Sequence, residues 1–271
     1  MKRLIGIIQF MTRIPIPVDT GFDEEFHKGI IYFPIVGVIL GICYYIIGAL
    51  GLKVFNSYIA TIMILIGEVI LTGGLHLDGL GDTFDGLYSY RDKDRILEIM
   101  KDSRLGTNGL LAIMLVLMFK AGLLYDFVDT GNLWVVIIMP AVARTMQVFA
   151  CYQTKTPREK GMGNIFIGKV EAKTLIGAYL LLGLVILGTI GSVGGLNLVF
   201  WALGNIILVF GGSIILLTLI NKLFIKSVYK KIDGITGDIL GCICELAELE
   251  FLILICLLGN QKSFYLRIWS T

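Results

Sequence analysis

Residues 30–51 read IIYFPIVGVILGICYYIIGALG, a run without a single charged side chain. An α-helix rises about 1.5 Å per residue and the hydrocarbon core of a bilayer is about 30 Å thick, so a run of this length and composition describes a spanning helix. The rest of the chain repeats the pattern. Of its 271 residues, 56% are hydrophobic and only 16% charged, and the mean hydropathy of +0.84 lies well above that of soluble domains. Further apolar runs near 57–77, 109–127, 132–152, 174–192, 198–220 and 238–259 bring the predicted spans to seven. Their hydrophobicity is continuous, not alternating, so the expected fold is an all-α integral membrane protein and not a barrel. No Gly-, Ser- or Pro-rich linker and no internal repeat divides the chain, which predicts one membrane domain over 1–271.

Orientation follows from the basic residues. Most of the 23 Lys and Arg fall in the N-terminal arm (Lys2, Arg3, Arg13, Lys28) and in three connections, around 78–108, 153–173 and 221–237. The positive-inside rule places all four in the cytoplasm, with the N-terminus, and puts the C-terminus outside a multi-pass cell membrane. A net charge of +2 is too small to imply nucleic acid. The opening LIGIIQFM is followed by Arg13, Pro15 and Pro17 and by no small-residue cleavage site, so it reads as retained. The five cysteines show neither zinc nor disulfide spacing and read as small apolar filler.

Against this background, GGLHLDGLGDTFDGL at 73–87 is costly, with three aspartates at the end of an apolar segment. If the second helix continues through it, Asp78, Asp82 and Asp85 lie at i, i+4 and i+7, within one narrow stripe about 10 Å long. Their mutual repulsion becomes tolerable when a divalent cation neutralises it, and all-oxygen ligation suits Mg²⁺, with Mn²⁺ as the alternative. The competing reading is a set of acids that merely solvates a helix end. Gly79, Gly81 and Gly86 are poor helix formers and imply close approach of a backbone or ligand. His76 is either a hydrogen-bonded structural histidine or a substrate contact.

A second acidic stretch, GITGDILGCICELAE, sets Asp238 and Glu245 seven residues apart on one helical face, with Glu248 a turn beyond. Ionisable groups inside a membrane are functional candidates by default. For Lys120 the expectation is pairing with Glu68, Glu245 or Glu248, or snorkelling. Arg144 reads as an anion contact, because an Arg fork matches phosphate oxygens, with carboxylate pairing as the alternative. Arg91, Arg95, Lys101 and Arg104, together with Arg158 and Lys160, would rim the acidic stripe. Acids for metal beside bases for phosphate suggest phosphoryl transfer more than an ion pathway.

The stretch TGGLHLDGLGDTFDGL followed by RDKDRILEIMKDSRLGTNG closely resembles the signature of cobalamin synthase, the adenosylcobinamide-GDP ribazoletransferase family. FMTRIPIP, YFPIVGVILG, PAVAR, REKGMG and GITGDILGCICELAE extend the resemblance almost end to end. It implies a Mg²⁺-dependent membrane transferase of the last steps of vitamin B12 synthesis, with its active site facing the cytoplasm. Such an enzyme joins adenosylcobinamide-GDP to α-ribazole or α-ribazole 5′-phosphate, releasing GMP. Under that reading Asp78, Asp82 and Asp85 hold the metal, with Asp82 and Asp85 catalytic and Asp85 alternatively the base. Arg104, Arg144 and Lys101 would contact phosphates, and Asp238 and Glu245 would complete the metal site or bind ribazole. Association with other enzymes of the pathway is a further expectation. The rivals are a membrane cation transporter, another metal-dependent membrane alcohol phosphotransferase, or a scaffold. Spans two, four and seven are expected to share one cavity.

Overall fold

The computed structural model describes residues 2–259, without the side chains of 193–207 and 259. Lys262 and Arg267, basic residues beyond the last predicted span, lie outside the described residues. Every named element is helical. In chain order these are α1 (Lys2–Met11), α2 (Phe33–Val54), α3 (Ser57–Thr72), α4 (Leu75–Leu87), α5 (Lys93–Ile99), α6 (Thr107–Asp129), α7 (Val135–Cys151), α8 (Ala172–Ile206), α9 (Gly212–Ile232) and α10 (Gly237–Gly259). Short 3₁₀ turns, Phe26–Tyr32 and Met162–Ile165, precede α2 and lie between α7 and α8.

The second predicted span does not run on to residue 77. α3 stops at Thr72, and Gly73 and Gly74 both take left-handed backbone angles, with φ of 65° and 70°. The Gly74 N–H donates to the Val69 carbonyl at 3.1 Å, which closes α3. Only glycine adopts two such angles in succession without strain, so the pair both caps one helix and starts the next. α4 leaves at 88° to α3. The N-terminal arm covers the bend: the Arg13 N–H donates to the Leu71 carbonyl at 2.6 Å, and the Arg13 side chain lies against Gly73.

The expectation of seven spans also changes. Among the described residues, four helical segments are long and apolar enough to cross a membrane, namely Phe26–Val54, Thr107–Asp129, Ala172–Ser192 and Leu208–Ile232. The bent pair of α3 and α4 makes a fifth if it counts as one span. α7 has only 17 residues and is buried along almost its whole surface, so its apolar sequence reflects a protein core and not a lipid face. α10 carries Asp238, Glu245, Glu248 and Glu250. The supposed connection at 221–237 is mostly the last three turns of α9, leaving 233–236 as the link to α10.

Close backbone packing sets the arrangement around α7. A Cβ on Gly37 would lie 2.5 Å from the Ala141 Cα, and one on Gly41 would lie 2.5 Å from the Ile137 carbonyl oxygen. α2 therefore meets α7 through small residues spaced four apart, the contact expected where no hydrophobic force drives helices together. α4 and α10 cross the same way: a Cβ on Gly79 would lie 2.7 Å from the Asp238 carbonyl oxygen, and one on Gly241 3.2 Å from the Gly79 Cα. Phe10, Phe26 and Phe33 ring the Phe166 side chain at centroid distances of 5.7, 5.9 and 5.1 Å, which fastens the arm to the loop between α7 and α8.

Gly41→Leu should separate α2 from α7 at a cost of at least about 1–3 kcal/mol. A lower unfolding midpoint in detergent is the expected result, and an unchanged midpoint would disprove the contact.

Candidate active site

Because α4 is a regular helix, it carries Asp78, Asp82 and Asp85 in the expected register, but their surroundings differ. Asp78 is exposed and Asp82 half-buried. Asp85 turns to the start of α6, where its carboxylate accepts the N–H of Gly106 at 2.6 Å and of Gly109 at 2.9 Å. These are unpaired donors at a helix N-terminus, and a carboxylate there satisfies them and complements the helix dipole. Glycine is used at both positions because a Cβ on either would collide with the Asp85 carboxylate.

The α4–α10 crossing at Gly79 brings the first residue pair of α10 to the stripe. Asp238 receives Arg158 Nη1 at 2.7 Å and the Thr236 hydroxyl at 3.2 Å. Asp82 is within electrostatic reach of Asp78, Asp238 and Asp85, which oppose its charge, and of Arg158, which favours it. The two acidic stretches therefore converge, as the sequence suggested for Asp238.

Glu245 does not reach that group. It lies two turns deeper on α10, in a buried network centred on Lys120. Lys120 Nζ donates to Glu68 at 2.6 Å, Glu248 at 2.7 Å and Glu245 at 3.0 Å. Arg144 pairs with the other oxygen of Glu248, and its Nη2 lies 3.5 Å from His76 Nδ1. No charged side chain of this network is more than 4% exposed. The pairing expected for Lys120 is present, and Arg144 takes the carboxylate alternative instead of an open anion-binding position. His76 takes the structural role. The carboxylates of Glu68, Glu245 and Glu248 approach within 4.8 Å of one another, but the ammonium of Lys120 occupies the place a metal would need. Spans two, four and seven do meet here, in a packed ion network and not an open cavity.

The basic rim is also redistributed. Lys101 is exposed. Arg104 grips Asp102 through Nε at 3.0 Å and Nη2 at 2.5 Å, and the guanidinium holds the Asp102 carboxyl down at about 2. Arg158, which the sequence placed among the rim residues, instead contacts Asp238 directly. Its signal was slight: one Arg in a Gly-containing loop between two apolar runs.

Residues 3–256 match the model of the cobalamin-5-phosphate synthase family. The chain belongs to that family. Proteins named adenosylcobinamide-GDP ribazoletransferase are similar to it along nearly their full length. The one from Clostridioides difficile is 54% identical over 95% of this chain and 98% of its own, and the one from Alkaliphilus metalliredigens 44% identical over 97% and 98%. A third, from Listeria monocytogenes, is 39% identical over 95% and 98%. No solved structure matches the chain. The protein is a membrane-type transferase of cobalamin synthesis.

Lys120→Ala would leave three buried carboxylates facing one another and should cost about 3–5 kcal/mol. Lys222→Ala, on an exposed face of α9, should stay within about 0.5 kcal/mol; denaturant unfolding in detergent compares them. Asp85→Ala should cost about 0.5–2 kcal/mol and speed hydrogen exchange at the Gly106 and Gly109 amides. Asp85→Asn, which keeps an acceptor oxygen, should retain most of the protection.

Proposed function

We propose that this protein joins adenosylcobinamide-GDP to α-ribazole or α-ribazole 5′-phosphate at the group formed by Asp78, Asp82 and Asp238. A ribazole hydroxyl oxygen bonds to the phosphorus nearer the corrinoid. The bond from that phosphorus to the bridging oxygen breaks, and GMP departs with the electron pair. The hydroxyl proton passes to a carboxylate of the stripe. The single observation that carries this reading is the Gly79–Asp238 backbone contact, which gathers carboxylates from α4 and α10.

The donor set fits a hard divalent cation. It offers only oxygens, its members repel one another, and Arg158 contacts it through Asp238. Asp78, Asp82 and Asp238 would hold Mg²⁺, with Mn²⁺ as the alternative. When bound, the metal supplies positive charge against the pyrophosphate and the departing phosphate oxygen. Asp85 fixes the start of α6 against α4 and so holds the far end of the stripe in place. Arg144, Glu245 and His76 support the site from beneath and are not assigned substrate contacts.

Two basic loops reach the stripe, one through Gly106 and the other through Arg158. By the positive-inside rule that is the cytoplasmic side of the cell membrane, which supports a site open to soluble nucleotide. The cation-transporter alternative has less support, because the membrane-buried acids Glu68, Glu245 and Glu248 already contact Lys120.

Purified protein supplied with both substrates and Mg²⁺ should release GMP and the corrinoid product, followed by mass spectrometry. EDTA should stop turnover and added Mg²⁺ restore it. Asp82→Ala should lower the rate about 100-fold or more while circular dichroism and detergent elution stay unchanged; near-normal activity in this variant would overturn the assignment.

A further inference from the structure

We propose that Arg158, one of several rim bases in the sequence, is the residue that grips a phosphate group of the substrate, the role that the family resemblance assigned to Arg104, Arg144 and Lys101. The inference rests on the ribazoletransferase reading only for which phosphate is bound; the geometry stands apart from it.

Arg158 sits in the loop between α7 and α8, with its side chain 11% exposed. One nitrogen, Nη1, is held by Asp238 at 2.7 Å. The other two, Nε and Nη2, are buried and have no hydrogen-bond partner among the described residues. Unsatisfied N–H groups on a buried guanidinium are costly, so the protein retains them for a reason. The Nε and Nη2 pair is the edge of a guanidinium that takes two oxygens of one phosphate in parallel hydrogen bonds. Asp238 thus orients the group while leaving that edge free, next to the carboxylates assigned to the metal.

The loop is braced before any ligand arrives. The Arg158 N–H donates to the Thr156 hydroxyl at 3.2 Å, and Asn164 Nδ2 donates to the Arg158 carbonyl at 2.8 Å. The Thr156 hydroxyl donates in turn to Asn164 Oδ1 at 3.2 Å. Gly163 lies so close to the start of α10 that a Cβ there would be 2.7 Å from the Gly237 nitrogen. The two other arginines are engaged elsewhere: Arg104 pairs with Asp102 at the surface, and Arg144 pairs with Glu248 in the buried network, away from the stripe.

Two phosphates of the reaction share this chemistry, the pyrophosphate of adenosylcobinamide-GDP and the 5′-phosphate of phosphorylated ribazole. Steady-state kinetics of wild type, Arg158→Lys and Arg158→Ala, run with each acceptor, separate them. A rise of about 10- to 100-fold in KM for adenosylcobinamide-GDP with both acceptors, at nearly constant kcat, places Arg158 on the pyrophosphate. A rise confined to KM for α-ribazole 5′-phosphate, with α-ribazole unaffected, places it on the acceptor phosphate. Arg158→Lys keeps the charge opposite Asp238 and loses the paired edge, so it should show most of the same effect in a protein that folds. A purely structural arginine would instead lower thermal stability and kcat with both KM values unchanged, and that result overturns the proposal. Calorimetric GDP binding tests the site without turnover. Should wild type bind GDP but catalyse no transfer, the ribazoletransferase reading fails while weaker GDP binding by Arg158→Lys still supports the phosphate contact. Equal GDP affinity in wild type and variant, or none in either, together with unchanged KM values, overturns it.

Discussion

Lys120 lies in the middle of α6, a helix apolar enough to cross a membrane, and its ammonium touches three carboxylates from two other helices. Hydrocarbon offers no water to solvate a charge, so each of these groups can be buried only against another. Arg144 on α7 extends the network through Glu248, and His76 on α4 joins it through Arg144. One connected set of contacts therefore fixes α3, α4, α6, α7 and α10 relative to one another. α4 follows from this. It is tied to the network at its start by His76, pressed on α10 at Gly79, and fastened to α6 at its end by Asp85.

The same residue types have two fates, decided by depth. On α10, Asp238 and Glu245 share a face, yet Asp238 meets Arg158 at the helix start while Glu245 is buried with Lys120. The deep carboxylates of Glu68, Glu245 and Glu248 share the Lys120 ammonium and hold helices together. Those of Asp78 and Asp82, at the surface and half-buried, face other acids. Like charges gathered in this way repel one another, and the proposed function would relieve that repulsion with a bound cation.

Much of this was legible in the chain. Continuous apolar runs announced membrane helices, and the i, i+4, i+7 spacing placed three aspartates along one helix. The pairing of Lys120 followed from the cost of a lone charge in lipid. The arrest of α3 was legible too, since two successive glycines after an apolar run are a helix-end signal, but the run of hydrophobic residues across them favoured a longer span. The fourth predicted span differs for another reason. An apolar run of 17 residues suits a protein core as well as a bilayer, and α7 is covered by neighbouring helices along almost its whole length.

The sequence by itself determined the helical membrane class, the acidic stripe and, through its long motifs, the family, because these depend on composition and on spacings within single segments. Only the tertiary structure decided where the arginines go. Arg104 turned to an aspartate two residues away, Arg144 went into the buried network, and Arg158 arrived beside an aspartate 80 positions further along the chain. The physical reason is that a charge is assigned by its neighbours in space. Those neighbours come from helix crossings at Gly37, Gly41, Gly79 and Gly241, where missing side chains let backbones approach, and periodicity within one helix carries no record of its partner.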